Sequence, residues 1–92
     1  MDVKVRVRFY EELNDFLPKE YYKKEFEVVI NEGGTVKDLL RKFNIPLSEV
    51  HLVLVNSENS GLERILKADD RLSIYPVFET IDISSIKKIR NT

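Results

Sequence analysis

From Val3 to Tyr10 the chain alternates without a break, with Val3, Val5, Val7 and Phe9 on one parity and Lys4, Arg6, Arg8 and Tyr10 on the other. Successive residues of a strand point to opposite faces. A period of two built from β-branched and aromatic residues therefore specifies a strand with one buried face and one facing water. The apolar face has to be covered, so the rest of the chain must supply a second layer. Its 92 residues suffice for one domain. A domain of this size buries only about 60–65% of its unfolded surface, so the core is modest. There is no cysteine, which removes disulfides and thiolate metal sites as sources of stability.

The following segments state what the second layer is. Leu13, Phe16 and Leu17 take helical spacing up to Pro18, which predicts a short helical turn over Glu11 to Leu17. Lys19 to Lys24 reads as a polar, lysine-rich loop. Phe26, Val28 and Ile30 then alternate with Glu25, Glu27 and Val29 as a second strand. Asn31-Glu32-Gly33-Gly34 predicts a turn, where glycine reaches positive φ without steric cost. Thr35, with Asp38 three residues on, is a shortened capping box, and the carboxylate also suits the positive end of a helix dipole. Val36, Leu39, Leu40 and Phe43 mark one face of the helix that follows. Asn44 fits its end, and Ile45-Pro46 prevents continuation.

Beyond a turn at Leu47 to Val50, the nearly continuous apolar run Leu52-Val53-Leu54-Val55 predicts a central strand buried on both faces. Asn56 to Gly61 reads as a polar turn, Leu62 to Leu66 as a minor strand and Ala68-Asp69-Asp70 as another turn. Arg71 to Val77 is the last strand, with Leu72, Ile74 and Pro76 on one face. The order predicts an α+β architecture, a mixed four- to five-stranded sheet with one main helix packed on it, and it permits the first and last strands to pair in parallel at the centre without requiring it.

Charge and residue chemistry narrow the function. Charged residues make up 34% of the chain, yet the formal net charge is −1, which argues against a dedicated polyanion binder. No apolar run approaches the roughly 20 residues of a membrane helix, and the opening Met1-Asp2-Val3-Lys4 lacks the apolar stretch of a signal peptide, so a cytoplasmic location is expected. His51 is the only histidine, so no Cys/His pair or metal-ligand cluster arises. It reads as a structural or surface residue. Glu11, Glu12 and Asp15 read as solvated carboxylates, and Asp69 and Asp70 as turn residues. No catalytic residue, cofactor site or metal site is expected, and the chain is not expected to be an enzyme.

Several stretches in this order and spacing resemble the MoaD/ThiS family: Val5-Arg6-Val7-Arg8-Phe9-Tyr10-Glu11-Glu12-Leu13, Gly34-Thr35-Val36-Lys37-Asp38-Leu39-Leu40, Leu52-Val53-Leu54-Val55-Asn56 and Leu66 to Pro76. The resemblance covers roughly Val3 to Val77 and implies a ubiquitin-like β-grasp fold. Arg8 to Pro18 and Tyr75 to Ile83 resemble more specifically the ubiquitin-like domain that precedes the PIN-like mut-seven C-terminal ribonuclease domain. The segment Ser84-Ser85-Ile86-Lys87-Lys88-Ile89-Arg90 is similar to the joint before that nuclease. On this basis residues 1–80 are expected to form the ubiquitin-like domain, and 81–92 a basic tail or truncated linker.

In sulfur carriers of the MoaD/ThiS type the reactive group is a C-terminal Gly-Gly carboxylate, which is adenylated and then exchanges AMP for sulfur. Glycines let that tail thread a narrow channel. Here Phe78-Glu79-Thr80 stands where the pattern places the diglycine, and the sequence ends Arg90-Asn91-Thr92. Gly33-Gly34 lies mid-chain and reads as a turn. The expectation is a noncatalytic protein-interaction module without the diglycine, which the resemblance connects to a PIN-like ribonuclease or RNA-processing system. The alternative is a sulfur carrier for molybdopterin or thiamine biosynthesis.

Two surfaces are candidates for contact. Tyr75, Val77, Phe78, Ile81 and Ile83 gather around the end of the last strand, where they either meet a protein partner or fold back over the domain's own core. Lys4, Arg6 and Arg8 on the outward face of the first strand, with Lys87, Lys88 and Arg90, either touch RNA phosphates or are tied up in cross-strand ion pairs with Glu25 and Glu27. A protein partner is expected first and RNA second; neither membrane nor DNA binding is expected.

Overall fold

The computed structural model describes residues 1–77, which place five strands in a single mixed sheet. The strands are β1 (Asp2–Phe9), β2 (Phe26–Asn31), β3 (Val50–Val55), β4 (Glu58–Asn59) and β5 (Arg71–Pro76), and one helix, α1, spans Val36–Lys42. Their spatial order is β2-β1-β5-β3-β4. β1 runs antiparallel to β2 and parallel to β5, so the first and last strands lie side by side at the centre, as the sequence order permits. In the β1–β2 register Val5 faces Val28 and Val7 faces Phe26. A slip of one residue would turn each of these side chains to the opposite face, so the apolar parity sets the pairing.

The buried parity of the sheet packs under α1. Val5, Val7, Phe9, Val28, Ile30, Val53, Val55, Leu72 and Ile74 meet Val36, Leu39 and Leu40 of the helix in one core. At one end the core is aromatic: Phe43 sits edge-on to Phe9 and Phe26, each at 5.7 Å between ring centres. Tyr21, read from sequence as part of a polar loop, stacks on Phe26 at 4.1 Å. A short 3₁₀ turn at Lys19–Tyr21 brings it there.

Helix entry follows local rules. The Thr35 N–H donates to Asp38 Oδ2 (2.9 Å) and the Asp38 N–H to Thr35 Oγ1 (3.3 Å), which closes the capping box. Gly33 has φ +85°, and a Cβ on Gly34 would lie 2.9 Å from the Asn31 carbonyl oxygen, so both glycines are required for different reasons. The helix stops where Asn44 turns left-handed at φ 58°.

Two expectations are corrected. β3 is not a central strand buried on both faces. Among the described residues only the two-residue β4 lies beyond it, and while Val53 and Val55 are buried, Leu52 and Leu54 are half-buried on the side away from α1. One helix covers only one face, so the apolar run in β3 marks a partly uncovered surface. The minor strand is Glu58–Asn59 rather than Leu62 to Leu66. Asn56 (φ 52°) and Ser57 (φ 72°) form the two-residue turn that a tight hairpin demands, with serine standing where glycine is usual. Leu62 to Leu66 instead runs past the start of α1. Its Leu62 and Arg64 carbonyls accept from the Lys37 and Val36 N–H groups (3.0 and 3.1 Å), which a helix cannot satisfy internally.

Candidate functional site

The side chains on the sheet face opposite α1 fall into two regions. The first is charged. Lys4 pairs with Glu27 (3.8 Å), and Glu25 accepts a hydrogen bond from Arg71 (2.8 Å) and pairs with Arg6 (3.7 Å). The β1–β2 register places Arg6 beside Glu27, and the parallel β1–β5 register places Arg6 beside Arg71, so Glu25 stands between two guanidiniums. The hydrogen bond from Arg71, with the charges of Arg71 and Arg6, holds the Glu25 carboxyl below the usual glutamate range. Lys4 and Arg6 are thus engaged in ion pairs with the glutamates of the neighbouring strand. Arg8 instead lies over the ring of Tyr10, 5.0 Å from its centre.

The second region is aromatic and aliphatic. Phe9 faces Ile74 across the parallel pair, and the Tyr10 N–H donates to the Ile74 carbonyl (3.0 Å). That register carries Tyr10 onto Tyr75: the rings are 4.3 Å apart and within 9° of parallel. Across β5, Leu52 faces Tyr75 and Leu54 faces Ser73. Val77 follows at 40% exposure, its N–H bonded to the Glu49 carbonyl (3.1 Å). Partial burial, and then the neighbouring Tyr10 hydroxyl, raise the Tyr75 phenol above its ordinary value, against an opposing pull from Arg8. Of the residues expected to contact a partner, Tyr75 and Val77 lie on this surface; Phe78 and Ile81, with Ile83, Lys87, Lys88 and Arg90, fall outside the described residues.

A recess of about 350 Å³ joins the two regions, lined by Arg8, Tyr10, Asn56, Ser57, Arg71 and Ser73 with Glu25 at its side. Its floor is fixed by a bracket. Asn56 Nδ2 donates to Asp70 Oδ1 and the Lys67 N–H to Asp70 Oδ2, both at 2.8 Å, while the Arg71 N–H donates to Asn56 Oδ1 (3.0 Å). Asp70 is therefore a buried structural residue that ties the β3–β4 turn to the start of β5.

Sequence reasoning missed a second polar anchor. Asn14 is 2% exposed; its amide donates to the Phe9 and Glu11 carbonyls (3.1 and 2.9 Å) and its oxygen accepts from the Lys23 N–H (2.7 Å). These bonds fix the corner from which Tyr10 projects. The available signal was a lone asparagine within the apolar spacing of Leu13, Phe16 and Leu17. His51 is exposed at the irregular start of β3. Among the described residues no three His, Cys, Asp or Glu side chains gather as a metal site, and no helix is long and apolar enough to cross a membrane.

A mixed sheet with parallel terminal strands and one helix across it defines a ubiquitin-like β-grasp domain. More particularly, the chain belongs to the Mut7-C ubiquitin family, whose sequence profile matches residues 2–82. No curated protein matches it. Among solved structures, the Haloferax volcanii protein HVO 2177 is similar over 86% of this chain and 87% of its own, with a TM-score of 0.67 and 18% identity. Small archaeal modifier protein 1 of H. volcanii is similar over 83% of this chain and 99% of its own, with a TM-score of 0.63 and 16% identity. A candidate molybdopterin converting factor, subunit 1, from Pyrococcus furiosus gives the same coverage and TM-score at 20% identity. At these identities the likeness establishes the fold alone.

Proposed function

We propose that this domain is a noncatalytic docking module that binds a protein partner through the uncovered face of its sheet. The observation that supports this reading is the Tyr10–Tyr75 stack, flanked by half-buried Leu52 and Leu54 on a face that no element of the described chain covers. Stacked tyrosines present rigid, amphipathic area at low entropic cost, and aromatic groups with arginine are enriched where interface energy concentrates. Membership of the Mut7-C ubiquitin family supports a PIN-like ribonuclease domain as the partner class. Titration calorimetry of the chain against a PIN-like mut-seven C-terminal domain tests this. Binding is expected, with Tyr75→Ala and Leu52→Ser each weakening it about ten-fold or more. No heat at about 100 μM, or binding indifferent to both substitutions, sinks the reading.

Sulfur carriage is the second reading, favoured by the fold shared with the P. furiosus protein. Against it, Phe78-Glu79-Thr80 follows Pro76-Val77, and the only adjacent glycines are Gly33 and Gly34. Incubation with an adenylating enzyme of the family, ATP and a sulfur donor distinguishes the two: a thiocarboxylate mass gain supports carriage, and an unchanged mass counts against it.

A further inference from the structure

We propose that the recess between β1, β5 and the β3–β4 turn receives a carboxylate side chain of the docking partner, so that the partner's contact surface carries an acidic residue beside its apolar anchor. This rests on the docking reading and adds the chemistry of the partner to it. The first ground is charge. Arg6, Arg8 and Arg71 lie on one patch with Glu25, which pairs with Arg6 and Arg71, and with the Asp70 carboxylate in the bracket beneath, which leaves an excess of one positive charge (three minus two) on a chain whose net charge is −1. Arginine presents a planar fork of donors that matches a carboxylate in two-point contact.

The second ground is placement. Arg8 and Arg71 line the same recess with Ser57 and Ser73; Glu25 also lines it and takes one Arg71 contact at 2.8 Å, while Arg8 has no ion-pair partner among the described residues, and the volume of about 350 Å³ accommodates a carboxylate side chain with water. Both arginines are held before any ligand arrives. The Asp70–Asn56–Arg71 bracket fixes the backbone at Arg71, and Arg8 rests on Tyr10. Groups already positioned lose less freedom on binding. The recess also adjoins Tyr10, whose partner Tyr75 faces Leu52, so acid and apolar contacts would be neighbours.

The same geometry disfavours RNA as the occupant. Tyr75 covers one face of Tyr10 and Arg8 lies over the ring, so Tyr10 offers a base no open face beside the recess. Lys4 and Arg6 are paired with Glu27 and Glu25, so no continuous track of cations follows the strand.

The test is an amide-resolved NMR titration at low ionic strength with two blocked peptides, acetyl-Leu-Glu-Ile-Glu-Leu-amide and its glutamine counterpart. The acidic peptide is expected to shift Arg8, Ser57, Arg71 and Ser73. It should bind about three- to ten-fold tighter than the glutamine peptide, with the difference shrinking as salt is added. Arg8→Gln and, separately, Arg71→Gln should each reduce that preference; two exposed sites guard against one variant perturbing the fold, which the spectrum reports directly. Equal affinity for the two peptides, or shifts centred elsewhere, overturns the proposal. Tighter binding of hexauridylate at the same residues overturns it too and reassigns the recess to nucleic acid. Docking of a PIN-like domain that survives both arginine substitutions refutes the acidic contact while leaving the docking reading in place.

Discussion

Replacing Asn14 with alanine removes more than its small volume suggests. The side chain makes three hydrogen bonds at 2.7–3.1 Å, and its loss strands the Phe9 and Glu11 carbonyls and the Lys23 N–H. A net contribution of about 1 kcal/mol per bond gives about 3 kcal/mol. Two of the three bonds are only partly buried, where water can substitute, so the expected loss is about 2–3 kcal/mol. A chain of 92 residues has a total stability of roughly 5–14 kcal/mol, so the variant forfeits a large share. Urea unfolding followed by circular dichroism should show the midpoint falling by about 1–2 M with an unchanged slope. Asn14→Asp sharpens the test. Its oxygen still accepts from Lys23, but a carboxylate would face two carbonyls, so its folded pKa is raised. Below the unfolded aspartate pKa the protonated acid can donate one bond; as pH rises towards the folded pKa that contribution is lost and the deficit grows. A loss below about 0.5 kcal/mol for Asn14→Ala would refute the claim that this residue anchors the corner beneath Tyr10.

The three glycines should separate cleanly under thermal unfolding. Gly34→Ala meets the Asn31 carbonyl oxygen at 2.9 Å and is expected to cost about 1–3 kcal/mol; Gly33→Ala has open space but φ +85°, and is expected to cost about 1–2 kcal/mol. Gly61→Ala meets nothing within 4 Å and should stay within about 0.5 kcal/mol; three equal losses would contradict this. Acid stability should depend on Glu25, whose depressed folded pKa stabilises the native state above the unfolded glutamate pKa. That contribution is lost as pH falls through the folded value. Asp38, depressed chiefly by the Thr35 backbone N–H, acts in the same direction. Glu25→Gln should flatten the acid limb of a stability-versus-pH profile at low salt, and an unchanged limb would show that its pairing with Arg71 and Arg6 contributes nothing to folding.

Where a signal lies between near neighbours in the chain, it is legible without coordinates. The parity of Val5, Val7 and Phe9, the Thr35–Asp38 box and the left-handed stop at Asn44 each depend on residues at most a few positions apart. The buried parity also restricted the β1–β2 register, because a slip of one residue would turn Val5, Val7, Val28 and Phe26 out of the core, whereas a slip of two would not. The apolar run Leu52 to Val55 was ambiguous for a physical reason. Hydrophobicity reports that a strand is covered or wants covering, but not which, and among the described residues no layer meets the second face.

By itself the amino-acid order determined the four longer strands, the helix with its caps, the α+β class and the family likeness, since all of these follow from periodicity and short-range chemistry. Only the tertiary structure decided what the candidate surface contains. Tyr10 meets Tyr75 because a parallel pairing brings opposite ends of the described chain into one register, and Arg71 joins Arg8 in a recess because Asp70 and Asn56 tie two turns together. Such contacts are set by the packing of the whole sheet, and no local spacing encodes which distant residue will arrive alongside.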